Sequence, residues 1–187
     1  MTRILLFAAI IALVSCKSPN GGYEAQTQHL DSLRVALDES APKFLAIHAD
    51  SVMLVVSTVK DDMRQMEMLS KGQMDVETAR IFSDYNSAKR LVKDFSGRNG
   101  RLTNELERTK LQLAGLTEAL KSGANVDAAG NKIDDEYVKK HVSLESRIAE
   151  ELIEEMNNSV RYADEAIREF NRLKPLVDQK LEAWKNE

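Results

Sequence analysis

Residues 81–120 read IFSDYNSAKRLVKDFSGRNGRLTNELERTKLQLAGLTEAL. One phase through this stretch carries Ile81, Tyr85, Ala88, Val92, Phe95, Asn99, Leu102, Leu106, Thr109, Leu113, Leu116 and Leu120. Steps of four and three keep one stripe of a helix turned toward a partner in left-handed packing. Two more stripes share the period. Upstream run Leu45, Ala49, Val52, Val56, Val59, Met63 and Met66. Downstream run Ile153, Met156, Val160, Ala163, Ile167, Phe170, Lys174, Val177, Leu181 and Trp184. The chain has 3 prolines, few aromatics and no convincing period-two alternation, so the reading is all-α.

Stop signals divide the stripes. Lys71-Gly72 and Lys121-Ser122-Gly123 each put a cation in a last turn and a glycine beyond it. Asp75 and Asp134 are suited to N-cap the helices that follow, and Asp135 and Glu136 suit a positive first turn. The expected helices are 23–70, 74–121 and 135–185. Helix-spaced pairs such as Asp164 with Arg168 would line the solvated faces. Short connections favour antiparallel neighbours. The expected fold is therefore an elongated antiparallel three-helix bundle or coiled coil, about 70 Å long at 1.5 Å per residue. Folding the chain at its two turns sets Pro42, the Ser96–Gly100 stretch and Asn157-Asn158-Ser159 at about one level, where a common bend is expected. In the alternative, Pro42 detaches a short helix 23–39. Pro175 should make the last helix bend or restart near Leu173.

The first fifteen residues differ from the rest. Arg3 precedes an apolar run from Ile4 to Val14, then Ser15 and Cys16 lead into the polar Lys17–Gly22. A positive start, a short apolar segment and a small residue at the cut site make a secretory signal. A spanning helix needs about 20 apolar residues, roughly twice this run. Leu13-Val14-Ser15-Cys16 resembles the lipobox of bacterial lipoproteins, position for position. The resemblance implies a diacylglycerol thioether on Cys16, removal of 1–15, and acylation of the new amino terminus with chains such as palmitate. Two or more chains anchor stably where one does not. Residues 16–22 then form a lipidated tether and 23–187 a single helical domain. Lys17 after the cysteine implies the outer membrane, if the sorting pattern of enterobacterial lipoproteins holds. The Ser-Cys-Lys junction followed by heptads also resembles, in style, the small helical envelope lipoproteins of unknown function common in Bacteroidota.

Cys16 is the only cysteine, so the rest of the chain has no disulfide, thiolate nucleophile or thiolate metal ligand. Cutting away Arg3 leaves 25 basic against 30 acidic side chains, a formal charge of −5. That acidity is spread along the chain, which offers no basic block for nucleic acid.

Candidate sites are few. His29, His48 and His141 stand apart, and His141 with Glu145 makes only a bare i,i+4 pair. Between the last two helices, Asn125, Asp127, Asn131 and Glu136 fall at positions 1, 3, 7 and 12 of an EF-hand-like calcium loop, with Gly130 at position 6. Ala129 removes a ligand and Lys132 adds a positive charge. Turn chemistry and a helix start account for the same residues. Met53, Met63, Met66, Met68 and Met74 could offer thioethers to Cu(I), although Met63 and Met66 sit on the apolar stripe, where methionine fills gaps. Glu150, Glu151, Glu154 and Glu155 lack the following histidine that a di-iron bundle needs.

No enzymatic activity, metal or cofactor is expected beyond the lipid on Cys16. The leading expectation is a lipid-anchored helical module that binds or spaces something at the membrane, through a protein partner or a second copy. An ion-binding envelope protein and a chaperone-like holder are the alternatives.

Overall fold

A computed structural model describes residues 22–186, so the signal, the lipobox and Cys16 lie outside the described residues. The fold is all-α. Its helices are α1 (Glu24–Leu45), α2 (Ala49–Leu69), α3 (Val76–Val92), α4 (Phe95–Ser122) and α5 (Asp135–Lys185). Among the described residues the only β pairing is an isolated antiparallel bridge between Val126 and Lys132.

The expected stops are in place. Asp75 caps α3, its Oδ1 accepting the Thr78 N–H at 2.8 Å. Asp134 caps α5, its Oδ1 accepting the Tyr137 N–H at 3.1 Å. Gly123 ends α4 at φ +67, where a side chain would be strained. Lys71 and Gly72, at φ +50 and +76, turn the chain after α2.

α5 is the spine, 51 residues and about 75 Å at 1.5 Å per residue. α1 and α2 succeed one another along it in the same direction, as Tyr23 to Asp135 at one end and Asp62 with Lys174 further along show. α3 and α4 run the opposite way, with Phe82 against Trp184 and Arg101 on Glu155. This arrangement is compatible with the expected three-helix bundle, but two of its three rods are broken. α1 is packed against α4 and α5, so Pro42 does not detach it.

The first two rods break at one level, as expected, but about a turn from Pro42 and just before Ser96–Gly100 rather than at those residues. α1 passes through Pro42 and ends at Leu45, and α2 leaves at 51°. Pro42 sits in the last turn, where its carbonyl still accepts the Ala46 N–H at 3.0 Å. The break rephases the first stripe: Phe44 takes the core position, and Leu45 is 56% exposed. Lys93 and Asp94 separate α3 from α4, while Gly97 and Gly100 lie inside α4. Asn157-Asn158-Ser159 does not interrupt α5. Nor does Pro175, which is exposed inside that helix between buried Leu173 and Val177, so the expected restart is absent. The ring faces solvent, and the packed turns on either side hold the helix together across the lost hydrogen bond.

Three clusters fill the interior. The lower one is leucine-rich, joining Leu30, Leu37, Leu106 and Leu113 to Met156. The upper one packs Val55, Val59, Phe82, Tyr85 and Leu173. Between them, Val52, Val92 and Phe95 meet the small Ala163 and Ala166 of α5, at the level of both breaks. The second stripe holds best: of its twelve positions only Ile81, Asn99 and Leu116 are less than fully buried.

Candidate functional site

The connection from α4 to α5 is where most local chemistry gathers. After Gly123 the chain makes a small hairpin. Ile133 N–H donates to Asn125 O at 2.9 Å, and Asp127 N–H to Asn131 O at 2.9 Å. Gly130, at φ +85, closes the tip. The Asp127 carboxylate organises it. Its Oδ1 accepts the Ala129 and Asn131 N–H groups at 2.9 and 2.8 Å. Its Oδ2 accepts the Asn131 side-chain amide at 2.8 Å and the Tyr137 hydroxyl at 3.0 Å. The Asn131 amide, backed by these other donors, holds the Asp127 carboxyl down at about 2.

This geometry bears on the calcium positions. A calcium loop turns its oxygens toward a common centre. Here Asp127 and Asn131, at positions 3 and 7, are spent on each other, carboxylate on amide and carbonyl on N–H. Asn125 and Glu136 are exposed. Among the described residues no three His, Asp or Glu side chains are grouped to hold a metal ion.

Beside the hairpin lies an open cavity of about 470 Å³ between α4 and α5. Gly115, Leu116 and Ala119 of α4 form one wall, Ala128 and Ala129 of the hairpin another. α5 contributes Glu145 and the stacked rings of Tyr137 and His141, whose centroids lie 4.0 Å apart. Glu145 is 8% exposed, and its buried Oε2 has no hydrogen-bond partner. Burial pushes its carboxyl above the usual range, against the opposing pull of His141 and Arg108. Glu145 continues the buried phase Val138, Glu145, Ala149, Leu152, Met156. Extending the third stripe upstream of Ile153 would have found it.

A second buried polar group had a signal in the sequence. Lys174 sits on the third stripe, and a cation there needs a partner. The partner is Asp62, 6% exposed on α2, with Lys174 Nζ 3.5 Å from its Oδ2. The same oxygen accepts the hydroxyl of Tyr85 at 2.6 Å. Lys174 also bonds Asp178 on its solvent side. The node ties α2, α3 and α5 together inside the upper core.

The remaining candidates separate. His29 Nε2 is 2.9 Å from Ser146 Oγ across the α1–α5 groove, and His48 is exposed at the start of α2. Met63, Met66 and Met74 pack against the upper core, whereas Met53 and Met68 are exposed. Glu151 pairs with Arg147 at 3.5 Å and Glu155 with Arg101, which makes a solvated, ion-paired face. Arg168 pairs with Glu165 and Glu169, not with Asp164. No single helix among the described residues is long and apolar enough to cross a membrane. The chain matches no family model, no curated protein and no solved structure.

Proposed function

We propose that the chain is a lipid-anchored, non-enzymatic envelope lipoprotein, held through Cys16 on the outer membrane, that binds or spaces a partner at a distance from the bilayer. The observation that carries this reading is the direction of the rod. Tyr23, only seven residues after Cys16, is bonded to Asp135 at the first turn of α5. An anchor on Cys16 would therefore hold the end bearing the hairpin. The seven residue steps from Cys16 to Tyr23 reach about 25 Å at most, so that end stays near the membrane.

The opposite end, where α2 turns into α3 and α5 finishes, would project about 75 Å away. Apolar side chains are displayed there. Val76 is 88% and Met68 64% exposed. Methionine adapts to irregular partner surfaces, so a protein partner or a second copy meeting this tip fits the reading. The test is Cys16→Ala with acyl labelling and membrane fractionation, together with crosslinking from position 76 in cells. Loss of label, release from the membrane and a specific crosslinked species are expected. Unchanged membrane association of Cys16→Ala would overturn the anchor, and the absence of any crosslinked species would overturn the binding role.

A further inference from the structure

The cavity beside the hairpin joins a small-residue wall to a buried acid. A glycine within a helix costs about 1 kcal/mol relative to alanine. Gly115 stands seven residues before the end of α4, exposed like Gly100 of the same helix, and nothing beyond its own helical turns lies within 4 Å of where its Cβ would be. Leu116, Ala119, Ala128 and Ala129 complete a wall of short apolar side chains around open space.

The other wall carries Glu145, a residue more than nine-tenths buried, whose Oε2 is shut off from solvent without a partner, which leaves Oε1 as the oxygen a ligand in the cavity can reach. A buried carboxylate needs a donor or a counter-charge. No described residue forms an ion pair or hydrogen bond with Glu145. The Arg108 guanidinium and the His141 ring act on it only through space. Asp127, the other acid at the cavity, already accepts four hydrogen bonds and has none to spare. A metal ion lacks its third ligand among the described residues. An ammonium group needs none, since it brings its own N–H donors, and the apolar wall suits a short carbon chain attached to it.

We propose that this cavity binds a small primary ammonium ion with a short apolar group, its N–H groups on the Glu145 carboxylate and its carbon chain against Leu116, Ala119 and Ala128. The source can be a free amine or the ethanolamine headgroup of a lipid. The site stands independently of the anchor and of any partner at the far tip.

The test uses the full chain in detergent micelles with ¹³C-labelled alanine methyl groups, titrated with propylammonium chloride against sodium chloride at equal ionic strength. Ala119, Ala128 and Ala129 report the walls directly. Saturable shifts at these methyls are expected with propylammonium and not with sodium. Glu145→Gln, which keeps the shape and removes the charge, should weaken binding about tenfold or more. Gly115→Leu should abolish it by filling the space, while the rest of the alanine spectrum reports an intact fold. In nanodiscs, shifts that need phosphatidylethanolamine rather than phosphatidylcholine alone assign the site to a lipid headgroup. Shifts with the free amine alone assign it to a solute. Non-saturating shifts, shifts equal in sodium chloride, or unchanged affinity in Glu145→Gln would overturn the proposal and leave the cavity to water.

Discussion

Replacing Tyr85 with phenylalanine removes one oxygen from the upper core and leaves its packing in place. That oxygen donates to Asp62 Oδ2 at 2.6 Å, and Tyr85 is fully buried. A hydrogen bond to a charged group contributes about 1.5–3 kcal/mol. Lys174, 3.5 Å from the same oxygen, continues to screen the carboxylate, which argues against the top of that range. We therefore expect Tyr85→Phe to cost about 2 kcal/mol, or about 4–8 °C in Tm for a domain of this size. Urea unfolding followed by circular dichroism measures it, provided the slope of the transition is unchanged. In an Asp62→Leu background the hydroxyl has lost its acceptor, so removing it should cost nothing or stabilise. This second arm separates the hydrogen bond from loss of packing. Alkaline pH gives an independent check. Burial, then the bond to Asp62, raises the Tyr85 pKa above its ordinary 10.0. The folded state thus keeps a proton that the unfolded chain loses. The stabilisation is whole below pH 10 and declines above it. Tyr137 and Tyr23 are shifted the same way in both proteins and cancel in the comparison, so the wild type should lose stability faster than Tyr85→Phe by up to about 1.4 kcal/mol per pH unit. A loss below about 0.5 kcal/mol in neutral urea, with equal slopes above pH 10, would refute the reasoning.

Leu106, 1% exposed in the lower core, should cost about 2–5 kcal/mol on truncation to alanine, read from the urea midpoint. Gly123→Ala places a side chain at φ +67 and should cost about 1 kcal/mol, with fraying of the last turn of α4 visible in amide exchange. Asp127 has its folded pKa depressed to about 2, so its contribution is present above pH 4 and lost as pH falls through about 2. Over that window the Asn131 and Ile133 amides should lose exchange protection before the amides of α5 do. Simultaneous loss would show that Asp127 does not hold the hairpin.

Legibility followed the strength of the local pattern. The second stripe located the core of α3 and α4 almost position by position because its phase passes through the interruption at Lys93-Asp94 unchanged. The first stripe failed at Leu45 and Ala49 for the opposite reason. It assumed one continuous helix, and a break of three residues turned Phe44 inward instead. Caps were readable because Asp75, Asp134 and Gly123 act through their own backbone neighbours. Pro42, Pro175 and the glycine pair of α4 misled because a proline costs a helix only a few kcal/mol. Packing on α5 outweighs that locally, so a breaking residue need not mark the break. The buried acids were the least legible. Asp62 and Glu145 occupy apolar phases, where composition expects exposure; the cation at Lys174 hinted at the first, and only the third stripe carried upstream of Ile153 pointed to the second.

The distribution of core chemistry explains why α5 alone is unbroken. The lower core is mostly leucine and the upper one valine, leucine and aromatic rings, and the two short rods break where one gives way to the other. The residues at the transition are the small ones, Ala163 and Ala166 on α5. Their short side chains let Val52, Val92 and Phe95 approach, so the other two rods turn at that level while the spine passes through. A helix contacting both cores on two sides can keep its register only if it is continuous. A rod whose partners each break once, at one level, depends on that helix for its stiffness. Enlarging Ala163 would therefore act on the geometry between the halves more than on either core. For the spacing role proposed above, that geometry is the working quantity.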